Sequence, residues 1–221
     1  MSVNKVLTPP EPWCMPDPLP DRRETARLVL RYWRDEDAPG LFEAVSRSRE
    51  YLKPWLPWAP KEHLTIAQTI YSIENMRRER ESEDPRRDNV VLAIVDRATG
   101  EPVGGTGLHR IVHAAHEAEI GYWIRQSRAR QGLCTEAVRA LISWAFTPRQ
   151  AGGWALRRVH IRCCSLNVAS RGVPTKIGLR QELHLHRDRW VDRHGWADTL
   201  GWGVIADEWD CQRECLRGAT L

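Results

Sequence analysis

The sequence predicts an α/β protein of the α+β kind, with one mixed sheet of about six to seven strands flanked by about four helices. Three observations predict it. Strand-type runs dominate the first half once two helical stretches are set aside, the middle alternates strand, helix, strand, helix, and the tail returns to strand-like runs. That order predicts a mixed sheet rather than a fully parallel one.

Element by element, residues 1–20 carry Pro9, Pro10, Pro12, Pro16, Pro18 and Pro20, which predicts an irregular lead-in. Ala26 to Trp33 alternates apolar and basic residues, the pattern of a strand with one wet face. Asp35 to Val45 opens on acidic residues and places Ala38, Leu41, Phe42 and Val45 at helical spacing. An aromatic loop broken by prolines follows from Tyr51 to Pro60. A second helix is expected from Leu64 to about Arg80, then a charged loop through Asp88. Asn89–Val95 and Val103–Val112 read as a hairpin turning at Ala98-Thr99-Gly100. Glu117–Ile124 is the next strand, Leu133–Phe146 a helix with Val138, Leu141, Ile142 and Ala145 on one face, Arg158–Cys163 a strand, and Asn167–Ile177 a short helix. Strand-like runs near Leu179–Trp190 and Thr199–Ile205 complete a single domain over residues 23–210, between a lead-in (1–22) and a tail (211–221).

Composition excludes several classes. A net charge of +4 and a pI of about 8.8 fall short of a dedicated nucleic-acid binder, so no stable nucleic-acid partner is expected. No run approaches the ~18 apolar residues of a membrane span, and the first residues lack a basic-then-apolar signal, which places the chain in the cytoplasm. The six cysteines show no paired C-x-x-C spacing and read as reduced thiols, with Cys163 and Cys164 on opposite faces of a strand. His184 and His186 would share a strand face, but no cysteine or carboxylate stands at ligand spacing from them, and no metal is expected. His186 or His194 is an alternative base. The chain is expected to act as a monomer or a homodimer.

The segment Glu119–Phe146, EIGYWIRQSRARQGLCTEAVRALISWAF, carries the chemistry. A strand ends at Ile124, a basic loop follows, and Gly132 opens a helix, an arrangement whose free first-turn amides and helix dipole favour an anion. Spacing alone also fits an ordinary strand–loop–helix connection.

This segment resembles the acetyl-CoA-binding motif of the GNAT superfamily of N-acetyltransferases, whose loop follows Arg/Gln-x-x-Gly-x-Gly/Ala. Gly132 is the central glycine, Ala129 stands where Arg or Gln is usual, and Cys134 replaces the last small residue. Glu24–Pro57, Arg158–Gly178 and Arg189–Trp209 resemble the opening, the strand with its Asn-x-x-Ser helix, and the closing strands of the RimJ/RimL-like branch. Together these matches span about residues 23–209. They imply a mostly antiparallel GNAT-type sheet whose two central strands splay to hold acyl-CoA.

The resemblance also implies roles. Acetyl-CoA, the co-substrate, would lie against Tyr122, Trp123 and Ile124, with its pyrophosphate on Arg128, Ala129, Arg130, Gln131, Gly132, Leu133, Cys134 and Thr135. A backbone N–H near Trp123 or Ile124 would serve the oxyanion. Asn167 matches the family's asparagine beside the cofactor and equally suits a helix cap. Many GNAT enzymes place a tyrosine seven residues later, where this chain has Pro174; the branch instead uses the serine three residues on, here Ser170, to protonate the departing thiolate. Pro174 has no N–H for the Ser170 carbonyl, which predicts a kink in this helix. Glu119 aligns with a glutamate common in the branch and is the candidate base, while Arg189 stands where some ribosomal-protein acetyltransferases carry a second glutamate. Trp55 and Trp58 either line the acceptor pocket or serve as plain core residues. The expected activity is acetyl transfer to a primary amine, foremost a peptide N-terminus; a polyamine or antibiotic amine, or a catalytically weak CoA-binding sensor, are the alternatives.

Overall fold

Element order follows the patterning in the computed structural model, which describes residues 10–84 and 86–210. The expected tail, 211–221, lies outside the described residues. The alternating run becomes β2 (Leu28–Tyr32), burying Leu28, Leu30 and Tyr32. A short strand absent from the patterning, β1 (Arg22–Glu24), pairs antiparallel with it. Its three charged residues give no apolar signal, so only backbone pairing defines it.

A 3-10 turn at Asp35–Asp37 leads into α1 (Ala38–Leu52), which runs past the expected end at Val45 because its apolar face continues through buried Leu52. The next helix, α2 (Ile66–Glu81), starts at Thr65, whose side chain accepts from the Gln68 amide as an N-cap. There follow β3 (Val90–Asp96), β4 (Pro102–Val112), β5 (Glu117–Ile124), α3 (Leu133–Phe146), β6 (Arg158–Cys164), α4 (Val168–Lys176), β7 (Arg180–Val191) and β8 (Gly195–Ile205). The irregular lead-in is not idle: the Trp13 indole is buried and donates to the Trp154 carbonyl at 2.7 Å.

The eight strands form one open sheet in the order β1-β2-β3-β4-β5-β6-β8-β7. One more strand than the upper expectation is present, and it is β1. Every neighbouring pair is antiparallel except β5 and β6. The main core lies between the sheet and α3 with α4, and includes fully buried Leu141, Ile142, Trp144 and Trp154. A second core on the other face joins Leu41 and Val45 of α1, Ile73 of α2, and Ala93 and Val95 of β3. The sheet is therefore a middle layer covered on both faces.

The feature that positions the site is the parallel pair. Strands β5 and β6 match only at Glu117–Arg158, Ala118–Val159 and Glu119–His160. Beyond that point β5 runs on to Ile124 and β6 to Cys164 without pairing to each other. The strands have parted, leaving a wedge in the middle of the sheet.

Candidate active site

Side chains alternate across the wedge and divide it into two faces. On β5, Ala118, Ile120, Tyr122 and Ile124 join the core beneath α3, while Trp123 joins the core beneath α1. On β6, Cys163 belongs to the α3 side and Cys164 packs with Val191 and Ala197 on the other. The two adjacent cysteines thus point apart as expected, and both are free thiols.

The α3 side carries the anion-type loop. After β5 the chain makes a 3-10 turn at Gln126–Arg128 and reaches Gly132, which sits at the N-cap of α3 with φ +79°. An L side chain there would be strained, so the glycine is dictated by the turn. Among the described residues, the amides of Arg130, Gln131, Gly132, Leu133, Cys134 and Thr135 donate to no backbone carbonyl. Helix geometry explains the last of these and the turn explains the first, and together they form a row of free donors. The residues fit a diphosphate.

Several cations surround the loop, each with partners of its own. Arg128 donates to Asp96 at 2.7 Å and to the Gln131 side chain at 3.1 Å. Its pull holds the Asp96 carboxyl below the usual range. Arg125 lies 3.4 Å from Glu43. A cation the sequence did not single out, Arg27, also reaches the loop: its Nη1 donates to the Gln131 carbonyl at 3.0 Å and its Nη2 pairs with buried Glu136 at 2.6 Å. Arg27 lies on the approach to β2, about a hundred residues earlier in the chain, and no local pattern links it to the loop. Cys134 is directed toward the main core, and burial pushes its thiol up to about 12.

Asn167 caps α4, its side chain accepting from the Ser170 amide at 3.0 Å. Ser170 Oγ in turn donates to the Tyr122 phenol at 3.2 Å, and the phenol donates to the Ser170 carbonyl at 3.0 Å. That carbonyl is the one Pro174 cannot serve, and α4 continues through the proline to Lys176. Burial raises the Tyr122 phenol well above its ordinary range, so it stays protonated. The sequence marked Tyr122 for its backbone alone; its hydroxyl belongs to the site as well. Cys163 is close enough to Ser170 to feel its hydroxyl, yet burial still raises the thiol.

The opposite face carries Glu119. It accepts from Arg110 Nη1 at 2.6 Å and faces His160 Nε2 at 3.4 Å, at the point where the strands part. Burial pushes its pKa up, but the hydrogen bonds from His160 and Arg110 outweigh burial and bring it down to about 2. The other His160 nitrogen approaches Glu117 at 2.6 Å but outside hydrogen-bonding alignment. The aromatic loop borders this face. Trp58 stands edge-on to Trp123 at 5.8 Å, and Trp55 packs on the cluster of Cys164, Val191 and Ala197. One tryptophan therefore touches the β5 arm of the wedge and the other the β6 arm. Gly105 on β4 is what lets the Trp123 indole lie there, since an added Cβ would meet its Nε1 at 2.6 Å.

Comparison with known proteins fits this geometry. Residues 27–180 match the family model described as the acetyltransferase (GNAT) domain. A candidate ribosomal N-acetyltransferase of Bacillus subtilis (strain 168), YdaF, is 30% identical over 160 residues, covering 70% of this chain and 79% of its own. Among solved structures, Mycobacterium smegmatis RimJ in complex with CoA-disulfide superposes with a TM-score of 0.74 at 25% identity, over 90% of this chain and 94% of that one. RimL, a ribosomal L7/L12 alpha-N-protein acetyltransferase in complex with coenzyme A, superposes with a TM-score of 0.72 at 20% identity, over 86% of this chain and 100% of that one. With the parted central strands and the loop of free amides matched by a family model spanning most of the described domain, the chain belongs to the GNAT acetyltransferases.

Proposed function

We propose that the chain transfers the acetyl group of acetyl-CoA to the α-amine of a protein or peptide N-terminus, by direct attack in a ternary complex. The pyrophosphate of the co-substrate lies on the free amides of 130–135 with Arg27 beside them, and its pantetheine arm enters the wedge on the α3 side along the backbone of Tyr122, Trp123 and Ile124. The acceptor arrives from the opposite face, between Trp55 and Trp58. The amine nitrogen bonds to the acyl carbon, a backbone N–H of Trp123 or Ile124 holds the oxyanion, and the carbon–sulfur bond breaks. The sulfur leaves as thiolate and takes a proton from the Ser170 hydroxyl, held in place by the Tyr122 phenol; the proton shed by the amine nitrogen passes to water, which restores the hydroxyl.

The observation that carries the choice of acceptor is the state of Glu119. Tied to Arg110 and His160 and acidic to about 2, it attracts an incoming ammonium but takes little part in removing its proton. Such a site suits an amine that is already partly neutral. An α-amine titrates near ~7.7–8.0 and meets that condition, whereas a lysine ε-amine near ~10.4 does not.

Thiol release from acetyl-CoA in the presence of matched acceptors tests this. The panel is a peptide with a free N-terminus and no lysine, the same peptide blocked at its N-terminus but carrying a lysine, and a polyamine. Turnover on the first acceptor is expected. Turnover confined to the polyamine or the lysine peptide would remove the N-terminal reading, and binding of acetyl-CoA with no turnover on any acceptor would support a sensor.

A further inference from the structure

The hairpin of β7 and β8 brings together three side chains that the reaction does not use. His184 Nε2 lies 2.6 Å from Asp198 Oδ2, and His186 Nδ1 lies 3.4 Å from Asp198 Oδ1. One ligand-type atom from each of the three residues falls within 4.8 Å of the others. His184 and His186 share a strand face, and the register shift between Leu185 and Arg189 turns the backbone so that the Arg187 amide donates to Asp198 Oδ1 at 2.8 Å. The carboxylate is therefore held by a main-chain donor between the two imidazoles. Fourteen residues separate Asp198 from His184, which is why no local spacing reveals the set.

We propose that His184, His186 and Asp198 bind a divalent transition-metal ion of the zinc class, with water completing the coordination. Two imidazoles and one carboxylate are a donor set that zinc accepts, and three protein ligands leave a position open. Tetrahedral binding at zinc's usual bond lengths requires donor atoms about 3.4 Å apart. Reaching that spacing means opening the His184–Asp198 contact and closing the widest separation. Both are within reach of side-chain rotation, because the two histidine side chains are 55% and 78% exposed.

The position gives the ion a structural consequence. The Asp198 carbonyl accepts from the Ser165 amide at 2.8 Å, two residues before the Asn167 cap of α4. A metal bridging β7 and β8 at Asp198 fastens the hairpin where it supports the corner that carries Ser170.

Calorimetric titration of zinc chloride into the tag-free, chelator-treated full chain at neutral pH tests the site. One ion per chain is expected, with a rise in melting temperature on loading. Asp198→Asn and His186→Ala should each weaken uptake by about 10-fold or more and abolish the rise in melting temperature. His186→Ala preserves the His184–Asp198 hydrogen bond and so reports on binding even if Asp198→Asn does not fold. Cys14→Ser, which removes an exposed thiol elsewhere, should bind as the parent does. No uptake at millimolar zinc, uptake unchanged in His186→Ala, or uptake lost in Cys14→Ser overturns the assignment.

Discussion

The Tyr122 phenol donates to the Ser170 carbonyl at 3.0 Å and accepts from the Ser170 hydroxyl at 3.2 Å, tying β5 to α4 across the parted strands. The pairing exists because Pro174 supplies no N–H to that carbonyl, leaving it for a side chain from another element. It also holds two protonated hydroxyls together beside the wedge.

Ser170→Ala should therefore lower turnover by about 100-fold while leaving acetyl-CoA affinity nearly unchanged, since the hydroxyl acts on the leaving group. Stopped-flow thiol release and calorimetry read the two quantities separately. Unaltered turnover would take Ser170 out of the scheme. Tyr122→Phe should act on both counts: it slows turnover and, by leaving the Ser170 carbonyl without its donor, destabilises the fold by about 1–3 kcal/mol in urea unfolding.

At Gly132, substitution by alanine should cost about 1–2 kcal/mol from the left-handed backbone alone, because φ is +79°. The larger expectation is for acetyl-CoA affinity, which falls as the row of free amides is disturbed. A Gly132→Ala protein that binds acetyl-CoA as tightly as the parent would show that the loop is not where the diphosphate sits.

Glu119 gives a prediction in pH. Its carboxyl is lowered from 4.5 to about 2 in the folded chain, so its contribution to stability is present above about pH 4.5 and fades as pH falls toward 2. Glu119→Gln should be less stable than the parent by about 1–3 kcal/mol at pH 7, a range reduced for the exposed Arg110 partner. The difference should shrink steadily below pH 4.5. A gap that stays constant down to pH 3 would mean that the stabilisation does not come from the carboxylate charge.

Trp58→Ala should raise the KM for the peptide acceptor without changing acetyl-CoA affinity, because Trp58 meets Trp123 on the face away from α3. Weakened acetyl-CoA binding instead would assign this loop to the co-substrate.

The fold was legible in the sequence because its elements have strong local signals. Period-two alternation at Leu28–Tyr32 and the helical spacing of Val138, Leu141 and Ile142 depend only on which face is buried. The loop was legible for a similar reason: Gly132 precedes an apolar helical run, and free amides at a helix start are a property of any helix. β1 escaped because charged residues held by backbone pairing carry no pattern. The reach of α1 to Leu52 was underestimated because Ser48 is buried within it, a polar residue interrupting the apolar stripe.

What the sequence determined by itself was the order of strands and helices, the glycine turn into α3 at Gly132, and the Asn167 cap of α4, all set by neighbours within a few residues. Only the tertiary structure decided that Arg27 reaches the loop, that the Tyr122 hydroxyl pairs with Ser170, and that Asp198 meets His184 and His186. Each of those contacts joins residues on different elements, and the physical reason is the same throughout. Hydrogen-bond and ion partners are chosen by which groups remain unpaired after the sheet has formed, and the linear spacing of residues carries no record of that choice.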